Sequence, residues 1–389
     1  MRSAWPWPVA ALLIAGCAVP ITFPLPGNGS GKDVRFERPE SVQAVGNRVA
    51  GWQLAHLTTF PYVRTFREET ADPRGWIQAA FWIGLARWAQ ATADPVYHRA
   101  VLRHAEENGW QLGNRAWHAD DQAIAQVYLY LARAGETARL EAVIDAFDAV
   151  LADPPTNSLE FALDPSGVSE GTCQRRWCWC DALFMAPPAW AMLSDVTGDP
   201  KYREYALAEY FATRDYLYDD REWLFYRDSR FFEQRTAYGN KVFWSRGNGW
   251  VFAGLPLLLE ALPEEHPRRR ELLVLFREMA AKLAKLQEPS GGWPPSLLDG
   301  GLGTVQESSG AGFITFGLAW GVNRGLLAKA DYGPVVDRAW DALRSAVDAD
   351  GRLGRVQQVG NAPDEVRETD TQLYGVGAFL LAASEILKR

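Results

Sequence analysis

Beyond residue 40 the chain alternates between two kinds of apolar pattern, and the period-two alternation of a half-buried strand is scarce. In Arg268–Gln287, the residues Leu272, Leu275, Phe276, Met279, Leu283 and Leu286 fall on one stripe, with Arg, Lys and Glu opposite. Phe313–Leu327 and Thr371–Leu387 are apolar nearly all round. A striped helix borders water, whereas an all-round apolar helix is enclosed. In chain order the helical spans pair as 41–59 with 76–91, 97–108 with 121–133, 136–151 with 181–196, 202–217 with 246–261, 268–287 with 308–328 and 334–347 with 370–387. One joint repeats as well. Thr92-Ala-Asp-Pro-Val-Tyr97 returns as Thr197-Gly-Asp-Pro-Lys-Tyr202, a helix stop followed by a proline-started helix. Striped and enclosed helices in alternation predict an outer ring around an inner one. The expected fold is all-α, an (α/α)6 toroid of six helical hairpins forming a single domain over 41–389. Pro187-Pro188 and Pro256 interrupt nominal inner helices, so a kink or late start is expected there, with Asp181 on a turn.

The first forty residues follow another pattern. Arg2 precedes the apolar run 9–15, too short to span a bilayer, which takes about 20 apolar residues. It has the length of an export signal's core. Ile14-Ala15-Gly16-Cys17 has the form of a bacterial lipobox, in which the cysteine is lipidated. The expectation is a lipoprotein signal over 1–16, a lipid on Cys17 and a Pro/Gly-rich flexible tether over 17–40. Such a protein is exported, in the periplasm or at the cell surface, and meets the membrane only through its anchor. An ordinary secretory signal is the alternative. Three further cysteines, Cys173, Cys178 and Cys180, crowd into eight positions. They are open to a disulfide from Cys173 to one of the others, to a three-thiolate zinc site that fits no common spacing, or to inert buried thiols.

Charge and composition narrow the chemistry. Lys and Arg number 40 against 48 Asp and Glu, a net charge of -8, so no basic field draws nucleic acid and none is expected as a partner. The chain holds 17 Trp, 18 Phe and 13 Tyr but only 5 His, which favours stacking over a His-rich metal site. In a toroid the loops that lead into the inner helices meet at one pole. Here they read Arg74-Gly-Trp76, Trp117-His-Ala-Asp-Asp121, Trp177-Cys-Trp-Cys-Asp181, Trp244-Ser-Arg-Gly-Asn-Gly-Trp250, Glu307-Ser-Ser-Gly310 and Glu368-Thr-Asp-Thr-Gln372. A shared funnel with tryptophan walls and an acidic floor accounts for all six. Aromatic faces stack on pyranoses while planar polar groups take the hydroxyls. Glycosidic chemistry uses two carboxylates with separated pKa values, and Asp121 and Asp181 are the candidates; Asp120 stands next to Asp121, so that one of the two caps while the other works, and which is which stays open. The plainer reading is that an aspartate opening a helix caps it, that Trp at helix starts is core, and that His118 merely holds its loop.

Four segments carry a resemblance: HADDQAIAQ from His118, WCWCDALFMAPP from Trp177, FWSRGNGWVFAGL from Phe243 and ESSGAGFITFGLAWGVNRGLL from Glu307. They resemble glycoside hydrolase family 105, the unsaturated rhamnogalacturonyl and glucuronyl hydrolases, from about residue 45 to the C-terminus. The resemblance implies the same toroidal fold. It also implies removal of a 4,5-unsaturated uronic acid, galacturonyl or glucuronyl, from the non-reducing end of acidic oligosaccharides left by lyases. Carried over, Asp181 is the general acid/base and Asp121 its assisting carboxylate. Arg246 and Trp250 contact the substrate, and Trp179 is a stacking position. Trp244, His118 and Asn248 complete the expected substrate-binding set. No metal or organic cofactor is implied, because protonating an electron-rich double bond needs only a positioned acid. Some family members carry a His before the Trp-Ser-Arg run, where this chain reads Leu224-Phe-Tyr-Arg-Asp-Ser-Arg230, so different contacts to the leaving saccharide are expected. Two rivals stay open: another (α/α)6 enzyme such as an inverting glycanase, and a glycan-binding lipoprotein without catalysis.

Overall fold

The computed structural model describes residues 40–161, 172–301 and 305–389. The expected signal, Cys17 and all but the end of the tether therefore lie outside the described residues. The helices are α1 (Val42–Leu54), α2 (Glu68–Ala71), α3 (Trp76–Thr92), α4 (Pro95–Glu107), α5 (Ala119–Gln122), α6 (Ala125–Arg133), α7 (Glu141–Ala152) and α8 (Ala182–Met185). After them come α9 (Pro187–Thr197), α10 (Lys201–Leu217), α11 (Ser245–Ala261), α12 (Arg269–Lys285), α13 (Ser308–Asn323), α14 (Lys329–Ser345) and α15 (Leu373–Ile386). One short hairpin, β1 (Tyr218–Asp219) with β2 (Leu224–Phe225), pairs Tyr218 opposite Phe225.

The inner helices close a ring. α3 packs on α6, α6 on α9, α9 on α11, α11 on α13, α13 on α15 and α15 back on α3. Outside, α4 lies against α3 and α6, α10 against α9, α12 against α11 and α13, α14 against α13 and α15, and α1 against α15 and α3. α7 joins them by stacking Phe147 on Trp190 of α9, with ring centroids 4.0 Å apart. This is the (α/α)6 toroid that the alternation of striped and enclosed helices predicts. α3 and α15 approach until Gly84 and Gly377 meet; a Cβ on either would collide with the other helix's backbone.

The repeated joint is reproduced bond for bond. Thr92 and Thr197 each return their hydroxyl to the carbonyl four residues back, at 2.9 and 2.7 Å, and accept the N–H of Asp94 and Asp199. Those aspartates then accept the N–H two residues on, at 2.9 and 3.0 Å, so each joint stops one helix and opens the next.

The prolines act differently from one another. Pro187 starts α9, and the third inner helix is broken at Ala186, so Asp181 does stand on a turn. Pro187 and Pro188 cannot donate to Leu183 and Phe184. Gln126 of α6 replaces one of those bonds, its Nε2 donating to the carbonyls of Phe184 (2.8 Å) and Met185 (2.9 Å). Pro256, by contrast, causes no late start, and α11 runs unbroken through it. Burial of nearly every residue of that helix holds it in line where propensity alone would end it.

Candidate active site

The N-terminal ends of the inner helices surround a cavity of about 330 Å³. Trp76, Trp179, Trp244 and Trp250 line it, with Asp120, Asp181 and Glu69 as acids and Arg67, Arg115, Arg227, Arg230 and Arg246 as cations. A chain of negative net charge thus presents a wall on which arginines outnumber carboxylates, which suits an anionic ligand.

The segment carrying Asp181 is fixed at several points. Cys173 and Cys178 form a disulfide and Cys180 is left as a buried free thiol, which resolves the open cysteine readings. Trp177 takes a left-handed backbone, φ 57°, at a cost of about 1 kcal/mol for a residue with a Cβ. Its carbonyl accepts the Thr213 hydroxyl at 2.9 Å, and the Cys180 N–H donates to the Arg227 carbonyl at 2.8 Å. Asp181 precedes α8 in helical conformation and caps nothing, so its carboxyl is free to face the cavity. Its Oδ2 has the Arg227 Nε at 3.4 Å and the Cys180 thiol at 3.7 Å. Burial raises its pKa above the ordinary carboxyl range, against the pull of the Arg227 and Arg246 charges.

Of the adjacent pair Asp120 and Asp121, it is Asp120 that faces the cavity with Asp181, where Asp121 was the expected partner. Burial pushes Asp120 up to about 7, with Arg115 opposing and the Asp181 charge adding to the rise. Asp121 does not line the cavity. Its Oδ1 accepts Arg115 Nε (3.1 Å) and Nη2 (2.6 Å), and its Oδ2 accepts the Arg115 backbone N–H (2.8 Å). Successive residues on a helix point about 100° apart, so only one of the pair can face the axis. Capping of α5 falls to His118, whose Nδ1 accepts the Asp120 N–H at 3.2 Å. That leaves the proton on Nε2, which is buried without a partner. Burial, seconded by the Arg115 charge, takes His118 down to about 3, so it is a neutral donor at the cavity wall.

Arg246 is 1% exposed and lies between the rings of Trp244 and Tyr374, at 4.3 and 4.7 Å. Nη1 and Nη2 donate to the carbonyls of Gln357 and Gln358, at 2.7 and 2.9 Å. Two of its five N–H groups are thereby spent on holding the fork in place. Trp244 donates to Gln357 Oε1 at 2.9 Å, and Trp250 packs against Phe313 at 4.1 Å. Asn248 departs from expectation. Its amide accepts the Phe225 N–H at 2.7 Å and donates to the carbonyls of Phe225 and Trp244, so it straps β2 to α11 and does not reach the cavity. Two of the six loops also fall short. Glu307 caps α13 through Ser309 and Gly310, and Asp370 takes a two-pronged bond from Arg64. In their place Val359, Gly360 and Asn361 reach the wall. Arg67, Glu69, Arg115, Phe161 and Gln174 also line it unforeseen, from connections and single helical turns too short to carry a periodic signal. Arg227 and Arg230 reach the wall from the segment that departs from the family's pattern. Among the described residues, no group of three or more His, Cys, Asp or Glu is disposed to hold a metal ion.

Residues 45–389 match the family described as Glycosyl Hydrolase Family 88. The chain is 46% identical over 354 residues to the unsaturated 3S-rhamnoglycuronyl hydrolase of Alteromonas sp. (strain LOR), covering 89% of this chain and 86% of that one. A solved structure described as glycosyl hydrolase family 88 from Bacteroides vulgatus superposes with a TM-score of 0.74 at 28% identity, over 89% of this chain and 98% of that one. A possible member of the GH105 family from Klebsiella pneumoniae subsp. pneumoniae MGH 78578 shares the fold at 19% identity, with a TM-score of 0.72 over 91% and 94% of the two chains. With the toroid and its polar cavity in place, these matches make the chain a member of glycosyl hydrolase family 88.

Proposed function

We propose that this protein removes a 4,5-unsaturated uronic acid from the non-reducing end of lyase-generated oligosaccharides, with the rhamnoglycuronyl class of its Alteromonas relative as the preferred substrate. The observation that carries the reading is the pair Asp120 and Asp181, two carboxyls facing one cavity, the first half-buried and the second buried, both with pKa values raised. Asp181, protonated, gives its proton to C4 of the double bond, and the charge developing at C5 is shared with the ring oxygen. Water adds at C5 and passes a proton back to the Asp181 carboxylate. The hemiketal so formed opens and releases the neighbouring sugar. Asp120 assists by holding the water and the developing charge. Arg246 offers its remaining N–H groups to the uronate carboxylate, and Trp179 and Trp250 stack on the sugar. The ultraviolet absorbance of the unsaturated uronate tests this directly. It should decay on rhamnose-containing lyase products and leave saturated oligosaccharides uncut; persistence on every unsaturated product sinks the reading. The N-terminal pattern supports export with a lipid on Cys17, and Cys17→Ala should then release the protein from the membrane fraction.

A further inference from the structure

Asp228 is absent from the cavity wall, yet it sits where the charge of that wall is set. Its carboxylate is fully buried, and four bonds reach it. Oδ2 accepts Arg227 Nη1 at 2.6 Å and Arg230 Nη2 at 2.8 Å; Oδ1 accepts Arg230 Nε at 2.8 Å and the Arg230 N–H at 3.1 Å. Both guanidinium groups lie over the Phe161 ring, and Arg227 turns its Nε to Asp181. The bond from Cys180 N–H to the Arg227 carbonyl ties the two loops together, so this arrangement cannot slide past Asp181.

We infer that Asp228 is a positioning residue acting through Arg227: it holds that guanidinium against Asp181 and offsets its charge, so that Asp181 retains the proton it donates. The inference rests on the reading of Asp181 as the acid. The groups facing Asp181 are Cys180 from its own loop, Arg227 with Asp228 behind it, Arg246 from α11, and Asp120 with neutral His118 from α5. Arg246 is drawn off by two carbonyls, which leaves Arg227 as the nearest cation. Without Asp228, Arg227 and Arg230 would stand beside the acid with no counter-charge between them. The Arg227 charge lowers the Asp181 pKa while the Asp228 charge raises it. Burial works against ionisation of Asp228 itself, but the bonds from Arg230 and Arg227 outweigh it and hold that carboxyl below its ordinary range.

The test is a carboxyl 13C titration of the full chain labelled at aspartate, with Asp181→Asn identifying the Asp181 signal. In Asp228→Asn the Asp181 midpoint should fall by about one pH unit. Asp228→Glu should restore it, and Arg230→Gln, which removes a cation and leaves Asp228 to Arg227, should raise it. The alkaline limb of kcat on an unsaturated product should move with the midpoint. If Asp228→Asn fails to fold, Arg230→Gln carries the test alone. A midpoint unmoved in the variants that fold overturns the inference, as does a kcat lowered equally at every pH. Absence of turnover by the wild-type protein on every unsaturated product defeats the functional reading instead, while the titration still decides the Asp228 coupling.

Discussion

The two poles of the inner ring bury carboxylates to similar depth beside arginines and leave them in opposite states. At the C-terminal pole, next to a cavity of about 370 Å³, Glu260 accepts Arg87 at 2.7 Å, Arg324 at 2.9 Å and the Trp320 indole at 2.8 Å. Burial would raise its pKa, but the Arg87 charge and these bonds prevail and take it down to about 2. At the N-terminal pole the Asp181 side chain is 11% exposed against 15% for Glu260, so depth does not separate them. Contact geometry does. The Arg227 Nε approaches Asp181 to 3.4 Å without making a hydrogen bond, and the ring nitrogen near Asp120, His118 Nδ1 at 3.8 Å, is neutral. A buried carboxyl becomes a structural tie when cations reach it in bonding geometry, and holds its proton more readily when they are kept just short of it.

That contrast can be broken by experiment. Asp181→Asn should lower kcat by about 10² to 10⁴ on an unsaturated substrate while leaving unfolding in urea almost unchanged. Glu260→Gln should do the reverse: it leaves Arg87 with only the more distant Glu385, at 4.0 Å, and costs about 3–5 kcal/mol of stability, with turnover per folded molecule retained. Should Asp181→Asn prove the more destabilising of the two, the poles do not differ as described. The pH dependence of thermal unfolding sharpens the point. Asp120 titrates near 7 when folded and near 3.8 when unfolded, so the native state binds the extra proton and loses stability as pH rises from about 4 to 7. Glu260 has the opposite shift, from 4.5 down to about 2, and its contribution is lost as pH falls through that window. Asp120→Asn should flatten the upper slope by a few degrees of Tm, and Glu260→Gln the lower. The smallest effect expected is that of Asn248→Ala, about 1–3 kcal/mol of stability from the unpaired Phe225 backbone, without the pH-profile change that a cavity residue would show.

Much of this was legible in the chain. Stripes and enclosed runs report burial directly, so ten of the twelve paired spans match a single helix with ends off by no more than five residues, and the repeated Thr-x-Asp-Pro joints fix two boundaries. The second and third inner helices are each split in two, by a turn at Ala123–Ile124 and at Ala186 before Pro187. Which side chain at a helix start turns inward was not legible. Asp120 and Asp121 are both short acids one step apart, and the choice was made by Arg115, six residues upstream, which the pattern gave no reason to link to either. Asn248 has the right chemistry for a sugar, but the two-residue strand that claims its amide is too short to announce itself. Arg67 and Phe161 arrive on irregular connections and Glu69 on the single-turn α2, where position depends on tertiary contacts and no period exists to be read.

The contact between α3 and α15 carries a consequence for biosynthesis. The glycine-to-glycine seam joins one of the earliest inner helices to leave the ribosome with the last. Until translation is nearly complete, the apolar flank of α3 has no mate, and the nascent chain must be kept from misassociating by other means. A chain stopped short of α15 would carry both acids and every tryptophan of the cavity yet lack the keystone that locks the circle.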